Sequence, residues 1–363
     1  MFRLLLKIID IVYLSAGMKV EYCKYQLRTT HPFGTAHGIR SATAAVFVRI
    51  HAFEEIGYGE ASMPPYYPET QDSVINFINE VNLSQFTDSK DLHKVIQHLH
   101  GFENNFAAKN ALDTALHDAY AKSKKKSLQE YLTTDISDLC SYTCFTIGLD
   151  DKETMLSKCE EAKDFPCLKI KLDGKSDVEI IQSIRAISDQ ELMVDANQSW
   201  NDVDVAILKS KQLHQLGVTL IEQPFAKGAL EKTKALSTAS EIPIFADEDM
   251  QGLNDLSKIA EAYDGINLKL MKCGGISKAM EIIDKARQLN LKIMIGCMTE
   301  SSCGISASCQ LADLCDYLDL DGNLLLSNDP YRSTAAEDGC ILVDPNSYGI
   351  GVIDVSDLWG DQL

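Results

Sequence analysis

Basic residues are scarce in this chain: 34 Lys and Arg stand against 53 Asp and Glu, a formal net charge of -19 over 363 residues. That balance argues against a nucleic-acid or anionic-membrane partner, because both demand a basic surface. It leaves a small substrate open, since a pocket can be basic within an acidic protein. The eleven cysteines include no CxxC pair, and their number is odd. With no clear secretory signal, the thiols are expected to be reduced and the protein cytoplasmic. Also missing is any run long and apolar enough to span a bilayer, so no membrane partner is expected. No Gly-rich phosphate loop follows a strand pattern, and Cys273-Gly274-Gly275 lacks the required spacing, which argues against nucleotide binding. Neither a low-complexity linker nor an internal sequence repeat divides the chain.

What is present is an ordinary globular composition, 45% hydrophobic and 24% charged, with length for roughly two domains. The opening Met1–Ile9 starts like a signal peptide, but Lys7 and Asp10 interrupt its apolar core. Met18-Lys19-Val20-Glu21 is a more natural start and leads straight into a strand. Residues 1–17 are therefore expected to be an over-extended start or a loose extra segment.

From Met18 to about Leu132 the pattern is strands, then helices, which indicates a separate α+β unit. Thr43–His51 and Glu55–Ala61 read as a hairpin. The stretches Thr30–Ser41 and Ser62–Thr70 flank it and are rich in Gly, Pro and aromatics; they are shaped connectors or lids over a site. Helices are expected at about Gln71–Val81, Ser89–His100 and Ala107–Lys122. The third carries Ala111, Leu112, Ala115, Leu116 and Ala119, a small-residue face suited to close packing. From about Cys140 short apolar strands alternate with helices, ending near Thr146, Lys171, Asp195, Glu222, Asp247, Lys269, Cys297 and Asp321. Their spacing of 22 to 28 residues is one strand plus one helix each, and eight such units make a (β/α)8-type barrel. The tail from about Asp329 is expected to pack back on the first unit.

In such a barrel, active-site groups sit at the carboxyl ends of the strands. Asp195, Glu222 and Asp247 end three consecutive strands. One such acid is equally well a helix N-cap or a surface carboxylate; three at matching ends converge and repel unless a cation joins them. Mg²⁺ suits these hard oxygen donors, and the absence of histidine from the motifs argues against zinc or non-haem iron. In Cys167-Leu-Lys-Ile-Lys171, alternation puts Lys169 and Lys171 on one strand face. Such a pair is either a solvated face or a base whose deprotonation is eased by a second cation. Lys269, ending the sixth strand, places a second amine across the barrel mouth from Lys171. That geometry fits taking a proton from one face of a carbon and returning it on the other.

These residues together resemble the muconate-lactonizing subgroup of the enolase superfamily, over essentially the whole chain from Met18. Phe145-Thr-Ile-Gly148, Lys269-Leu-Met-Lys-Cys-Gly-Gly275, Gly296-Cys-Met-Thr-Glu-Ser-Ser302 and Asp319-Leu-Asp-Gly322 are most similar to the dipeptide epimerases of L-Ala-D/L-Glu type. The resemblance implies an α/β modified TIM barrel of (β/α)7β type. It implies an N-terminal α+β cap at 18–138, a barrel at 139–330, and a C-terminal segment at 331–363 that completes the cap. It implies an isomerase acting on a dipeptide through Mg²⁺ held by Asp195, Glu222 and Asp247. Lys171 and Lys269 would be the catalytic pair, with Lys169 stabilising the intermediate. Thr146, Cys297, Met298 and Thr299 would line the pocket, and Asp319 with Asp321 would hold the substrate's α-ammonium, unless they are a solvated strand end. Arg40 falls where such epimerases carry an arginine for the glutamate carboxylate, or it is a surface residue. One departure is visible: Asp247 is followed by Glu248-Asp249 where relatives read Glu-Ser, and the added acid is expected to tune metal affinity. A homo-oligomer is expected.

Rival readings are an epimerase for Ala-X with apolar X, or an N-acylamino acid racemase or cycloisomerase on the same scaffold. From another class comes a non-catalytic barrel that binds small peptides. An acid-sugar dehydratase would call for histidine in the barrel, and none is placed for it.

Overall fold

A long alternating run from Lys19 opens the structure, a computed structural model that describes residues 17–35, 38–86, 91–134, 136, 140–333, 335–337, 339–344 and 346–360. Residues 1–16 and the expected boundary at 138/139 lie outside the described residues. Strands β1 (Lys19–Thr35), β2 (Gly38–Ala52) and β3 (Glu55–Met63) form an antiparallel sheet. The hairpin extends further than expected. Thr30–Ser41 is no free connector, because Phe33–Thr35 pairs with Gly38–Arg40 after a register shift that follows Arg28. Residue pairing thus projects Arg40 on a ribbon instead of a loose lid.

Helices α1 (Gln71–Val81), α2 (Leu92–His100) and α3 (Phe106–Ser123) follow. Thr70 caps α1 in a reciprocal box with Ser73. Of the expected second helix, residues 89 and 90 lie outside the described set. The small-residue face of α3 lies against glycines of β3: a Cβ on Gly57 would meet Ala115 O at 1.9 Å, and one on Gly59 would meet Ala111 O at 2.0 Å. No side chain fits there, so helix and sheet approach at backbone distance.

Past helix α4 (Leu128–Leu132) and the short strand β4 (Ser141–Tyr142), the barrel begins. Its strands are β5 (Phe145–Ile147), β6 (Cys167–Lys171), β7 (Glu191–Asp195), β8 (Val218–Glu222), β9 (Ile244–Ala246), β10 (Gly265–Lys269), β11 (Lys292–Gly296) and β12 (Tyr317–Asp319). They are parallel and neighbour one another in chain order. Cys144 N donates to Leu318 O at 3.1 Å, which draws the two ends of the sheet together. Between them run α5 (Lys152–Glu161), α6 (Asp177–Arg185), α7 (Val203–Gln215), α8 (Leu230–Ala239), α9 (Leu256–Ile259), α10 (Leu270–Cys273), α11 (Ile276–Gln288) and α12 (Ser302–Cys309). Helices join each strand to the next and none described follows β12, the (β/α)7β order expected. No helix among the described residues is long and apolar enough to cross a membrane.

Cap, barrel and tail interlock. Ile350 N donates to Asp118 Oδ1 of α3 at 2.8 Å, and the Arg49 guanidinium of β2 lies 4.9 Å from the Trp359 ring. The expectation that every thiol is reduced is corrected here: Cys140 and Cys340 form a disulfide, with Cα atoms 5.8 Å apart. The partners lie 200 residues apart in sequence, and antiparallel pairing of Cys340 with Tyr142 brings them together, which no spacing rule could reveal.

Candidate active site

The strand ends open into a cavity of about 390 Å³ beneath the cap. Its wall holds Lys169, Lys171, Lys269, Asp247, Thr146, Cys297, Met298, Thr299, Asp319, Asp321 and Arg40, together all but two of the residues singled out in the sequence. The two others, Asp195 and Glu222, are fully buried and reach the cavity through the lysines. Asp195, Glu222 and Asp247 each offer an oxygen, and these oxygens lie within 4.8 Å of one another. An all-carboxylate set with no His or Cys is a donor set for a hard cation, so the residues present fit a metal of that kind.

Asp195 and Glu222 end β7 and β8 and Asp247 immediately follows β9; these three strands lie between β6, with Lys169 and Lys171, and β10, with Lys269. Lys171 Nζ is 2.5 Å from Asp195 Oδ2, and Lys269 Nζ is 2.9 Å from Asp247 Oδ2. Lys169, 2% exposed, is 2.7 Å from Glu222 Oε2 and 2.5 Å from Asp319 Oδ2. Removing one partner from such a buried pair costs about 3–5 kcal/mol, because the other charge is stranded.

Burial disfavours every one of these charges, and the carboxylates reverse its effect on the lysines. Burial is the largest single effect on the Lys171 ammonium and would depress it, but Asp195 and Glu222 together carry the net shift upward, against smaller opposing pushes from Lys169 and Lys269. The expectation of an eased base is thus right about the Lys169 push and wrong about the sum. Lys169 and Lys269 are likewise held above their usual value, against burial, by Asp319 and by Asp247 respectively. Burial raises Glu222 to about 8.

Asp319 and Asp321 are both buried, so they are no solvated strand end. Asp319 ends β12, while Asp321 lies beyond the strand and accepts from Thr146 N at 2.6 Å. Burial and the neighbouring Asp319 lift Asp321 to about 6. Arg40 is no free surface residue. Its Nη2 donates to Thr299 Oγ1 at 3.1 Å and its guanidinium lies 5.4 Å from the Tyr66 ring, while its buried Nε has no partner.

Several contributors escaped the sequence reading. Lys272 Nζ holds Asp247 Oδ1 and its backbone O, each at 2.7 Å. It lies one helical step past Lys269, a spacing that could have flagged it. Asn267 Nδ2 holds Glu222 Oε1 at 3.0 Å, and Asn197 and Tyr67 line the cavity with the lysines. The added acid Asp249 is engaged by Gln223, Tyr263 and Gly228 N instead of standing over the cavity.

Comparison with known proteins gives the family. Residues 19–133 match the mandelate racemase/muconate lactonizing enzyme N-terminal domain, and residues 154–352 match the enolase C-terminal domain-like family. The chain is 39% identical to the L-Ala-D/L-Glu epimerase of Bacteroides thetaiotaomicron over 94% of its length and 89% of that protein's. It is 36% identical to an L-Ala-D/L-amino acid epimerase of Maribacter sp., over 92% of this chain and 99% of that one. Among solved structures, a substrate-liganded L-Ala-D/L-Glu epimerase from Bacillus subtilis superposes with TM-score 0.86 at 28% identity, over 93% of this chain and 99% of that one. A dipeptide epimerase from Cytophaga hutchinsonii, complexed with Mg and D-Ala-L-Val, gives TM-score 0.86 at 28% identity, over 95% and 97%.

Proposed function

The chain belongs to the mandelate racemase/muconate lactonizing enzyme family of the enolase superfamily, and from that premise we propose that it is a Mg²⁺-dependent dipeptide epimerase. It inverts the α-carbon of the C-terminal residue, with L-Ala-D/L-Glu as substrate. The observation that carries this reading is the strand order: two lysines on β6 and β10 line one cavity, with an acidic triad on the three strands between them.

Asp195, Glu222 and Asp247 are the ligands in this reading. Mg²⁺, when bound, supplies a Lewis acid for the substrate carboxylate and takes up the negative charge that otherwise raises the lysines. Lys171 or Lys269, according to the starting stereoisomer, removes the α-proton, and the opposite lysine returns one to the other face. Lys169 adds positive charge beside the carboxylate as the enediolate forms. Asp321 and Asp319 receive the α-ammonium of the first residue, Thr146, Cys297, Met298 and Thr299 form the wall, and the cap excludes water. Arg40 receives the glutamate side chain; its unpartnered Nε in the cavity wall favours an anionic group there.

The test is α-proton exchange in D₂O with Mg²⁺, followed by NMR, on L-Ala-L-Glu and L-Ala-L-Val. Exchange with inversion, best on Ala-Glu, is expected. Exchange only on apolar second residues would keep the epimerase and discard the role of Arg40. No exchange on any dipeptide would refute the reading and turn attention to N-acylamino acids and cycloisomerase substrates.

A further inference from the structure

The triad residues lie at the ends of separate strands, and one residue, through its backbone and its side chain, ties their loops together. Gln223 directly follows Glu222, its backbone O accepts from Gln198 N at 2.8 Å in the loop after Asp195, and its Oε1 accepts from Asp247 N at 2.9 Å and Asp249 N at 3.2 Å. It is fully buried and holds a φ of +34°, a conformation that its surroundings must impose on a residue other than glycine. A carboxamide has two ends of nearly equal shape, so only its partners decide which way it faces. At the Nε2 end those partners are Asp249 Oδ2 at 2.9 Å, Tyr263 OH at 3.0 Å and Phe225 O at 3.0 Å. The Tyr263 hydroxyl also donates to Asp249 Oδ2 at 2.6 Å, and Asp249 Oδ1 accepts from Gly228 N at 2.7 Å. An ionised carboxylate only accepts. Flipping the amide would therefore set its oxygen against Asp249 and its NH₂ against two backbone N–H groups.

We propose that Asp249, braced by Tyr263, is a positioning residue for the metal centre. By locking the Gln223 amide it fixes where the Asp247 loop sits relative to Glu222. The extra acid after Asp247-Glu248 thus acts on the metal through geometry, and its charge is spent within the brace. The inference rests on the reading of Asp195, Glu222 and Asp247 as the Mg²⁺ site.

The experiment compares Asp249→Asn, Asp249→Glu and Tyr263→Phe with wild type. Mg²⁺ binding is read by calorimetry and Mn²⁺ binding by electron paramagnetic resonance, with thermal melting as a fold control. Outer-sphere partners of this kind change metal affinity about 10–100-fold. Asp249→Asn is expected to weaken binding by that factor, and Asp249→Glu to weaken it as well, although the charge is kept. Tyr263→Phe, which alters no charge, is expected to weaken it several-fold, with kcat recovering at saturating Mg²⁺. If Asp249→Glu and Tyr263→Phe bind metal as wild type does, Asp249 acts by charge or not at all, and the proposal is overturned. Should an Asp249 variant fail to fold, Tyr263→Phe, which removes a single oxygen, decides alone. A wild type that takes up no divalent cation would overturn the metal site itself, and the positioning role with it.

Discussion

Replacing Arg40 with Met keeps the length of the stem and removes the guanidinium, and the structure separates the consequences. Two contacts are lost whatever the substrate: the Nη2 bond to Thr299 Oγ1 at 3.1 Å and the stacking on Tyr66 at 5.4 Å. They contribute about 0.5–1.5 and about 0.5–1 kcal/mol. The first ties the β2 ribbon to the barrel loop at Thr299 and the second to the cap loop that carries Tyr66, so their loss lowers kcat/KM for every dipeptide alike. A third interaction exists only when the second residue is an anion, because the Nε otherwise has no partner. A charge-assisted hydrogen bond of that kind is worth about 1.5–3 kcal/mol. At one decade per 1.4 kcal/mol, the ratio of kcat/KM for L-Ala-L-Glu over L-Ala-L-Val should fall about 10–150-fold. The ratio is the quantity to measure, by NMR initial rates on both dipeptides, since the shared losses cancel in it. Arg40→Lys, which keeps the charge but not the fork, should fall between wild type and Arg40→Met. If both substrates lose the same factor, Arg40 is a strut between cap and barrel, and it does not read the side chain.

Lys171→Ala and Lys269→Ala should each lower epimerisation by at least about 10²-fold, while each retains α-deuterium exchange on one stereoisomer, opposite for the two variants; Lys171→Ala epimerising at the wild-type rate would sink the two-base mechanism. Opening Cys140–Cys340, by reductant or Cys140→Ser, frees a loop of 200 residues and should cost up to about 5 kcal/mol in urea unfolding; identical midpoints with and without reductant would contradict it. Burial lifts Glu60 to about 8, with the Glu300 charge adding to it, and burial lifts Glu300 to about 7. Because the folded state then holds protons that the unfolded chain releases above its ordinary carboxyl pKa, stability should fall from about pH 4.5 to 8, by up to about 1.4 kcal/mol per pH unit for each proton. Glu300→Gln, neutral at every pH, should flatten that decline, and an unchanged slope would show that the pair does not hold the proton.

The barrel was legible because its signals are local. A strand followed by its polar end lies within a few residues, as in Val194-Asp195 and Ile221-Glu222, and a roughly regular spacing of such units dictates the fold. Fold rules then place the ends of all strands on one rim, which is why three acids and three lysines could be assembled without coordinates. The cap helix α3 was legible for the same reason: Ala111 and Ala115 repeat at the helical period. The small residues that receive it, Gly59 and Gly57, were seen only as part of a hairpin, since nothing local says what a strand glycine will meet.

What escaped is long-range and polar. Glu60 of β3 accepts from Ser301 N and Gly304 N, 241 and 244 residues away, and Ser62 Oγ donates to Thr299 O at 2.7 Å. Those bonds join the cap to the loop that lines the cavity, and although Thr299 and Ser301 belong to the Gly296–Ser302 motif, nothing in the sequence around Glu60 and Ser62 marks them as its partners. The lysine pKa values escaped for a related reason. Pairing on one strand shows that Lys169 repels Lys171, but the larger attraction comes from Asp195 on the next strand, and only the register Lys171 to Asp195 reveals it. Asp249 is the sharpest case. In sequence it is a third acid in a row, and charge is the only property the sequence displays. Its effect depends on meeting an amide 26 residues earlier and a phenol 14 residues later. An acidic run at a barrel mouth therefore cannot be counted as metal ligands by proximity in sequence: Asp247 joins the triad, whereas Asp249 turns to Gln223, the amide whose oxygen accepts from Asp247 N.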